Sequence, residues 1–322
     1  MKRVIRIAGS FLIVIGIVAC GGGGGGGGGP TPPPGPPATG AINSGSVLLV
    51  SGRAADAALR SGGFGDITNF VGLTSIAAGS SGPRAGESAK PAGWYVQSQV
   101  PVGPDTTPCA FGGTVTVSGD IANPLTVTVG DFLDYEWQSC DDGLGQIIDG
   151  FIGMTFTEFE GNLLAGQILL GVSLVVQNFQ IIEGGEANTT SGDLSLTIDS
   201  RTQPTTVVTT QGSSISVADG SGTDTLTDFL STVSEDTAMF PPNFTTNLTG
   251  TIASTLFEGF VTYDTPIDFE STGIGFPYAG EMLIFGTNNA TIRIIAISEN
   301  DVRIEADYDG DGAMDATIDT SW

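Results

Sequence analysis

The chain of 322 residues contains no histidine. That excludes Ser-His-Asp and Cys-His catalysis, as well as zinc or haem held by imidazole. Basic residues are scarce as well: 10 Lys and Arg stand against 35 Asp and Glu, for a formal charge of −25. After Lys90 the only cations are Arg201, Arg293 and Arg303. Phosphate backbones are bound by clusters of Lys and Arg, so this composition argues against a nucleic-acid partner. Cysteine is limited to Cys20, Cys109 and Cys140. What the chain does have is apolar material, 40% of its residues, which is enough for a substantial core.

The first twenty residues bear on compartment. Lys2, Arg3 and Arg6 form a positive start, and Ile7 to Ala19 is an apolar run of thirteen residues. Such a run is too short to span a bilayer and fits a secretory signal peptide. It ends in Ile17-Val18-Ala19-Cys20, which resembles the lipobox of bacterial lipoprotein precursors. The resemblance implies that residues 1–19 are cleaved off and that Cys20 carries lipid on its thiol and a fatty acid on its new amine. Three acyl chains anchor a protein almost permanently, whereas one holds it only marginally. Gly21 follows; in lipoproteins of this kind Asp there marks inner-membrane retention, so Gly implies the outer membrane, lipid-anchored on either its periplasmic or its surface face. The alternative is an ordinary signal peptide or an uncleaved anchor with a coincidental cysteine. Cleavage removes three basic side chains and no acid, which moves the charge to −28.

With Cys20 assigned to lipid, Cys109 and Cys140 remain. In an exported chain such a pair predicts a disulfide closing 32 residues; the alternative is two free buried thiols.

Four segments follow from composition. Residues 1–19 are the signal peptide. Residues 20–40 are a tether: nine consecutive glycines at 21–29, then PTPPPGPP at 30–37. A flexible coil followed by a polyproline spacer reaches about 40 Å. Residues 41–108 are mixed, with a short helix predicted at Arg53 to Arg60, another at Asp66 to Ile76, and loop over 79–93.

Residues 109–322 read as β structure. Apolar and polar residues alternate at Val115 and Val117, at Leu125, Val127 and Val129, at Leu133, Tyr135 and Trp137, at Leu194, Leu196 and Ile198, and at Val302, Ile304 and Ala306. Period two means half-buried strands. Gly184-Gly185, Asp219-Gly220 and Asn288-Asn289 mark turns, and no long amphipathic helix intervenes. The run 168–182 predicts a long strand covered on both faces. The expected fold is therefore mainly β: about a dozen strands in a large curved antiparallel meander, a half-closed barrel or a sandwich, with a few short helices near the N-terminus.

Three blocks carry a wider likeness. They are Cys109-x-x-Gly112-Gly113-Thr-Val-Thr-Val with Gly130-Asp131, Cys140 and Gly150; Phe260-Val-Thr-Tyr-Asp-Thr-Pro266 with Pro277-x-x-Gly280; and the ending DYDGDGAMDATIDTSW. Together they resemble uncharacterised β-rich lipoproteins of Gram-negative bacteria over roughly residues 105–322. The resemblance implies a lipid-anchored, mainly β protein and no particular activity.

The chemistry-bearing motif is Asp307-Tyr-Asp309-Gly-Asp311-Gly-Ala313-Met-Asp315. Carboxylates at positions 1, 3, 5 and 9, glycine at 6 and a backbone carbonyl from Ala313 at 7 form the oxygen-rich set that Ca²⁺ takes. Ile318 stands where an EF-hand has its bidentate Glu, and the flanks read as strands, so the loop is closer to calcium loops set in β-hairpins. A structural Ca²⁺ is expected here; the alternative is an acidic Asp-Gly turn without metal.

Acid pairs at Asp131/Asp134/Glu136, Asp141/Asp142, Glu158/Glu160 and Glu183/Glu186 raise a carboxylate-dependent polysaccharide hydrolase as an alternative activity, although 35 acids make close pairs common by chance. Trp322, a terminal aromatic, raises a transmembrane β-barrel; against it, many strands read as shorter than the ~9–11 residues a bilayer needs. The leading expectation is a binding or structural β module in the cell envelope, its partner a lipid, a glycan or a protein.

Overall fold

The computed structural model describes residues 40–63, 103–121, 128–141, 143, 145–162, 166–236, 238, 240–273 and 275–322. Cys20, the tether before Gly40, the predicted helix at Asp66 to Ile76 and the alternation at Leu125 and Val127 lie outside them. The chain is mainly β. Its strands, β1 to β14, are Asp105–Pro108, Thr114–Asp120, Phe132–Asp141, Gln146–Asn162, Gln167–Glu183, Glu186–Asp199, Thr205–Ala218, Thr223–Asp236, Asn243–Ser254, Phe260–Thr272, Ala279–Phe285, Thr291–Ala296, Asp301–Asp307 and Ala316–Ser321. They are hydrogen-bonded in sequence order into one sheet. That is the antiparallel meander expected from the alternation. The sheet has β1 and β14 as its edges and is not closed into a barrel.

The described residues fall into two compact units, one from 40–63, 202–209 and 222–322, the other from 103–201 and 210–221. In the latter, alternation builds the core directly. Leu133, Met154, Leu174 and Leu194 are cross-strand neighbours on β3 to β6, and all are at most 4% exposed. Each such side chain contributes roughly 1.5–3 kcal/mol by leaving water. The same strands turn Phe132 and Glu136 outward. The run 168–182 departs from expectation. Ile168, Leu170, Val172, Leu174 and Val176 are buried, but Leu169 is only half-buried and Val175 is exposed, so one face of β5 is covered rather than two. An antiparallel sheet needs a core on one side only.

In the other unit, Tyr263, Ile284, Ile292 and Ala306 form one buried row, and Met282, Ile294 and Ile304 the next. Helix α1, Val47–Gly63, packs on β8, β9 and β12 through Val47, Val50, Ala54, Ala57 and Ala58, which recur at helical spacing and are at most 4% exposed. It starts earlier than the predicted Arg53. Asn43 and Ser46 cap each other reciprocally: Ser46 N donates to Asn43 Oδ1 (3.1 Å) and Asn43 N donates to Ser46 Oγ (3.0 Å). This satisfies amides that the first turn leaves without partners. Arg53 Nη1 then pins the helix to β8 through Asp224 Oδ2 at 3.0 Å.

Seven strands, β4 to β10, run for 12 to 17 residues, longer than the sequence suggests. Glycines inside the strands sit where a strand continues past a bulge. At Gly150, with φ +105°, a Cβ would lie 2.3 Å from the Asn178 carbonyl oxygen, so only glycine lets β4 and β5 approach there. Side chains replace the ladder bonds that bulges remove. Ser139 N donates to Asp149 Oδ1 (2.6 Å), Asn178 N to Ser191 Oγ (2.9 Å) and Leu248 N to Thr265 Oγ1 (2.7 Å). The predicted turns at Gly184-Gly185, Asp219-Gly220 and Asn288-Asn289 all fall between strands.

Candidate functional site

Strand β13 ends at Asp307 and β14 begins at Ala316, so the acidic motif is the loop of a β-hairpin, flanked by strands as its sequence predicted. Asp307 is 3% exposed. Its Oδ1 accepts from Gly310 N (2.7 Å) and its Oδ2 from Gly312 N (2.8 Å). Burial pushes the Asp307 carboxyl up, but the N–H groups of Gly312, Gly310, Asp309 and Asp311 outweigh it and hold the group below its usual value of 3.8. Gly310, at φ +76°, lets the loop close on the preceding hairpin, since a Cβ there would lie 2.2 Å from the Asn288 carbonyl oxygen.

Carboxylate oxygens of Asp307, Asp309 and Asp315 lie within 4.8 Å of one another. Oxygen ligands placed ~2.3–2.6 Å from one Ca²⁺ are separated by no more than about 5 Å, so these three fit the ion. Asp315 Oδ2 also accepts from Tyr308 N (2.7 Å), and Asp309 Oδ1 from Asp311 N (3.1 Å). Asp311 is outside the converging group; its Oδ1 accepts from Ala313 N at 2.7 Å. The loop therefore gathers three of the four predicted carboxylates, while Asp311 and Ala313 shape the turn.

Cys109 and Cys140 stand at disulfide distance, bonded to each other with their Cα atoms 5.5 Å apart. Cys140 is buried, and around it Cys109 N donates to Gly113 O (3.1 Å) and Asp141 N to Gly112 O (2.9 Å).

Of the acid pairs, Asp142 lies outside the described residues. Asp131 is buried and takes Thr128 N (2.9 Å). Glu136, Glu158, Glu160 and Glu186 are exposed. Burial raises the Asp134 carboxyl, with no other cause at work. Each arginine whose side chain is described is matched to acid: Arg53 to Asp224, Arg201 to Glu160 and Asp199, Arg293 to Glu281 and Glu305, and Arg303 to Asp319.

Sequence reading missed one feature, a shallow cleft lined by Ser234 and Asp236 of β8, Asn243, Phe244 and Thr245 of β9, Glu270 of β10 and Tyr278. These residues come from three strands and a loop. Only the register, which sets Ser234 beside Thr245 beside Glu270 and Asp236 beside Asn243 beside Thr272, brings them together.

The fold and loop define a class: a mainly β protein built as one open fourteen-stranded meander, with an acidic hairpin loop and a disulfide. No family model matches the chain, and neither a curated protein nor a solved structure matches it. No helix among the described residues is long and apolar enough to cross a membrane.

Proposed function

We propose that this chain is a lipoprotein of the bacterial outer membrane, in which the β sheet serves as a binding or structural module of the cell envelope, held on a Gly/Pro tether from lipidated Cys20. One observation carries the reading: a basic start, thirteen apolar residues and Ile17-Val18-Ala19-Cys20 occur in the order that lipoprotein export uses. Two others agree with it. A cysteine pair at disulfide distance suits an oxidising compartment. The open strand order suits a tethered module better than a membrane-spanning barrel, which must close to satisfy its edges. The formal charge of −25 argues against a nucleic-acid partner. The test is intact-mass measurement of the native protein with an alkyne-palmitate label. Wild type should lack residues 1–19 and carry label, and Cys20→Ala should carry none. An unmodified leader, or an unlabelled thiol at Cys20, refutes the reading.

A structural Ca²⁺ in the β13–β14 loop, held by Asp307, Asp309 and Asp315, is the second part of the proposal. The convergence of their three carboxylates supports it. A bound cation would offset their mutual repulsion and close the hairpin. A ligand that binds only the folded form stabilises it by about 2.7 kcal/mol at a hundredfold excess over Kd. Melting in Ca²⁺ should therefore exceed melting in chelator, and Asp309→Asn should abolish the difference. Equal melting in the two conditions refutes the site.

A further inference from the structure

We propose that the cleft formed by β8, β9, β10 and Tyr278 is a subsite for a neutral, hydroxyl-rich ligand, namely one residue of an uncharged glycan. This rests on reading the domain as a binding module and names the chemistry that module would bind.

The floor of the cleft lies on two cross-strand rows, Ser234–Thr245–Glu270 and Asp236–Asn243, the second continued beyond the lining by Thr272. Neighbouring strands lie ~4.8 Å apart and alternate residues ~6.7 Å apart along a strand. The five lining positions therefore span about 10 by 7 Å, the footprint of one sugar ring with its hydroxyls.

The hydrogen-bonding inventory selects the ligand. Asp236 Oδ1 is held by Ala238 N (2.7 Å), which leaves Oδ2 as an acceptor. Glu270 Oε2 takes the Tyr278 hydroxyl (3.3 Å), which leaves Oε1. Asn243 Oδ1 takes the Thr272 hydroxyl (3.4 Å), which leaves its amide N–H groups to donate. The hydroxyls of Ser234 and Thr245 give or accept. A vicinal diol both donates and accepts, so it matches all of these groups at once. Phosphate, sulfate and uronate meet two carboxylates and, among the described lining residues, no cation. An ammonium ion would satisfy the acids but leave the Asn243 amide facing a like donor.

The aromatic wall is fixed in advance. Tyr278 N donates to the Glu270 carbonyl (2.9 Å). The preceding carbonyl, Pro277 O, accepts the Trp322 indole N–H (3.1 Å), and that indole stacks on Phe276 with ring centroids 6.0 Å apart. These bonds fix the backbone at Tyr278 and the hydroxyl's bond to Glu270 Oε2 holds its ring, so the wall is ordered before a ligand binds and adds little cost on binding.

The experiment uses the full-length lipoprotein in detergent micelles and calorimetric titration with two- to six-unit neutral hexose and N-acetylhexosamine oligosaccharides, with their sulfated counterparts and spermine as controls. Expected are binding of at least one neutral oligosaccharide, none of the sulfated forms, and weakening by about tenfold or more in Asp236→Asn and Glu270→Gln. Both variants keep side-chain shape and are judged only where circular dichroism matches wild type. No binding by any neutral oligosaccharide, preference for spermine, or affinity unchanged in both variants overturns the inference. Anchoring at Cys20 is read by the palmitate label alone, so failure here leaves that reading standing.

Discussion

Opening the Cys109–Cys140 bridge tests how the unit containing β1 to β6 is held together. The bond joins residues 31 apart and so closes a ring of 32. In the chain-entropy account, a ring of that size restricts the unfolded chain by about 3.7 kcal/mol at 25 °C. Cys140 is 3% exposed, so Cys109→Ala with Cys140→Ala also leaves a small void, which adds about 1 kcal/mol. Wild type in reductant should therefore lose about 3.7 kcal/mol, and the double variant about 4.7 kcal/mol. For a unit of this size that corresponds to a fall in Tm of roughly 8–15 °C. Guanidinium unfolding followed by tryptophan fluorescence suits the measurement, because Trp137 is buried, stacked on Tyr135 at 5.5 Å and edge-on to Phe179. A loss below about 1 kcal/mol under reductant would mean that ring closure does not restrain the unfolded chain as argued.

Two further predictions concern the unit that carries α1. Arg53→Ala leaves the buried Asp224 carboxylate without its guanidinium, and Asp224 Oδ1 already lacks a partner among the described residues; a loss of about 3 kcal/mol in urea unfolding is expected, largely recovered by Arg53→Leu with Asp224→Ala, and a loss within 0.5 kcal/mol refutes it. Asp307 is held below 3.8, so its ionised form stabilises the fold above about pH 3.8 and that contribution disappears as pH falls through the lower folded value. Asp307→Asn should flatten the urea-midpoint profile between about pH 4 and pH 2, while Asp199 and Asp319, lowered by Arg201 and Arg303, keep titrating in both proteins; identical profiles refute the assignment.

Period-two alternation by itself determined that the chain is an antiparallel meander, because Leu133, Tyr135 and Trp137, or Val302, Ile304 and Ala306, have a common buried face whatever surrounds them. Spacing alone placed Asp307, Asp309 and Asp315 together, since the eight residues that follow Asp307 before the next paired strand must double back. Composition named Cys109 and Cys140 as a pair, because few cysteines leave few choices. Tertiary structure decided what depends on contacts between distant residues. Which glycines a close approach requires, Gly150 and Gly192 among them, was decided by the facing strand, whose backbone takes the space a side chain would fill. Asp311 carries the same carboxylate as its neighbours, but its hydrogen bond to Ala313 N, fixed by the path of the turn, sets it apart from the converging three. The helix start at Val47, capped by Asn43 and Ser46, and the Arg53–Asp224 contact, across 171 residues, leave no periodic trace. The polar cleft has no trace either: its residues are spread from 234 to 278, and register, which a one-residue slip would reverse, is what sets them side by side.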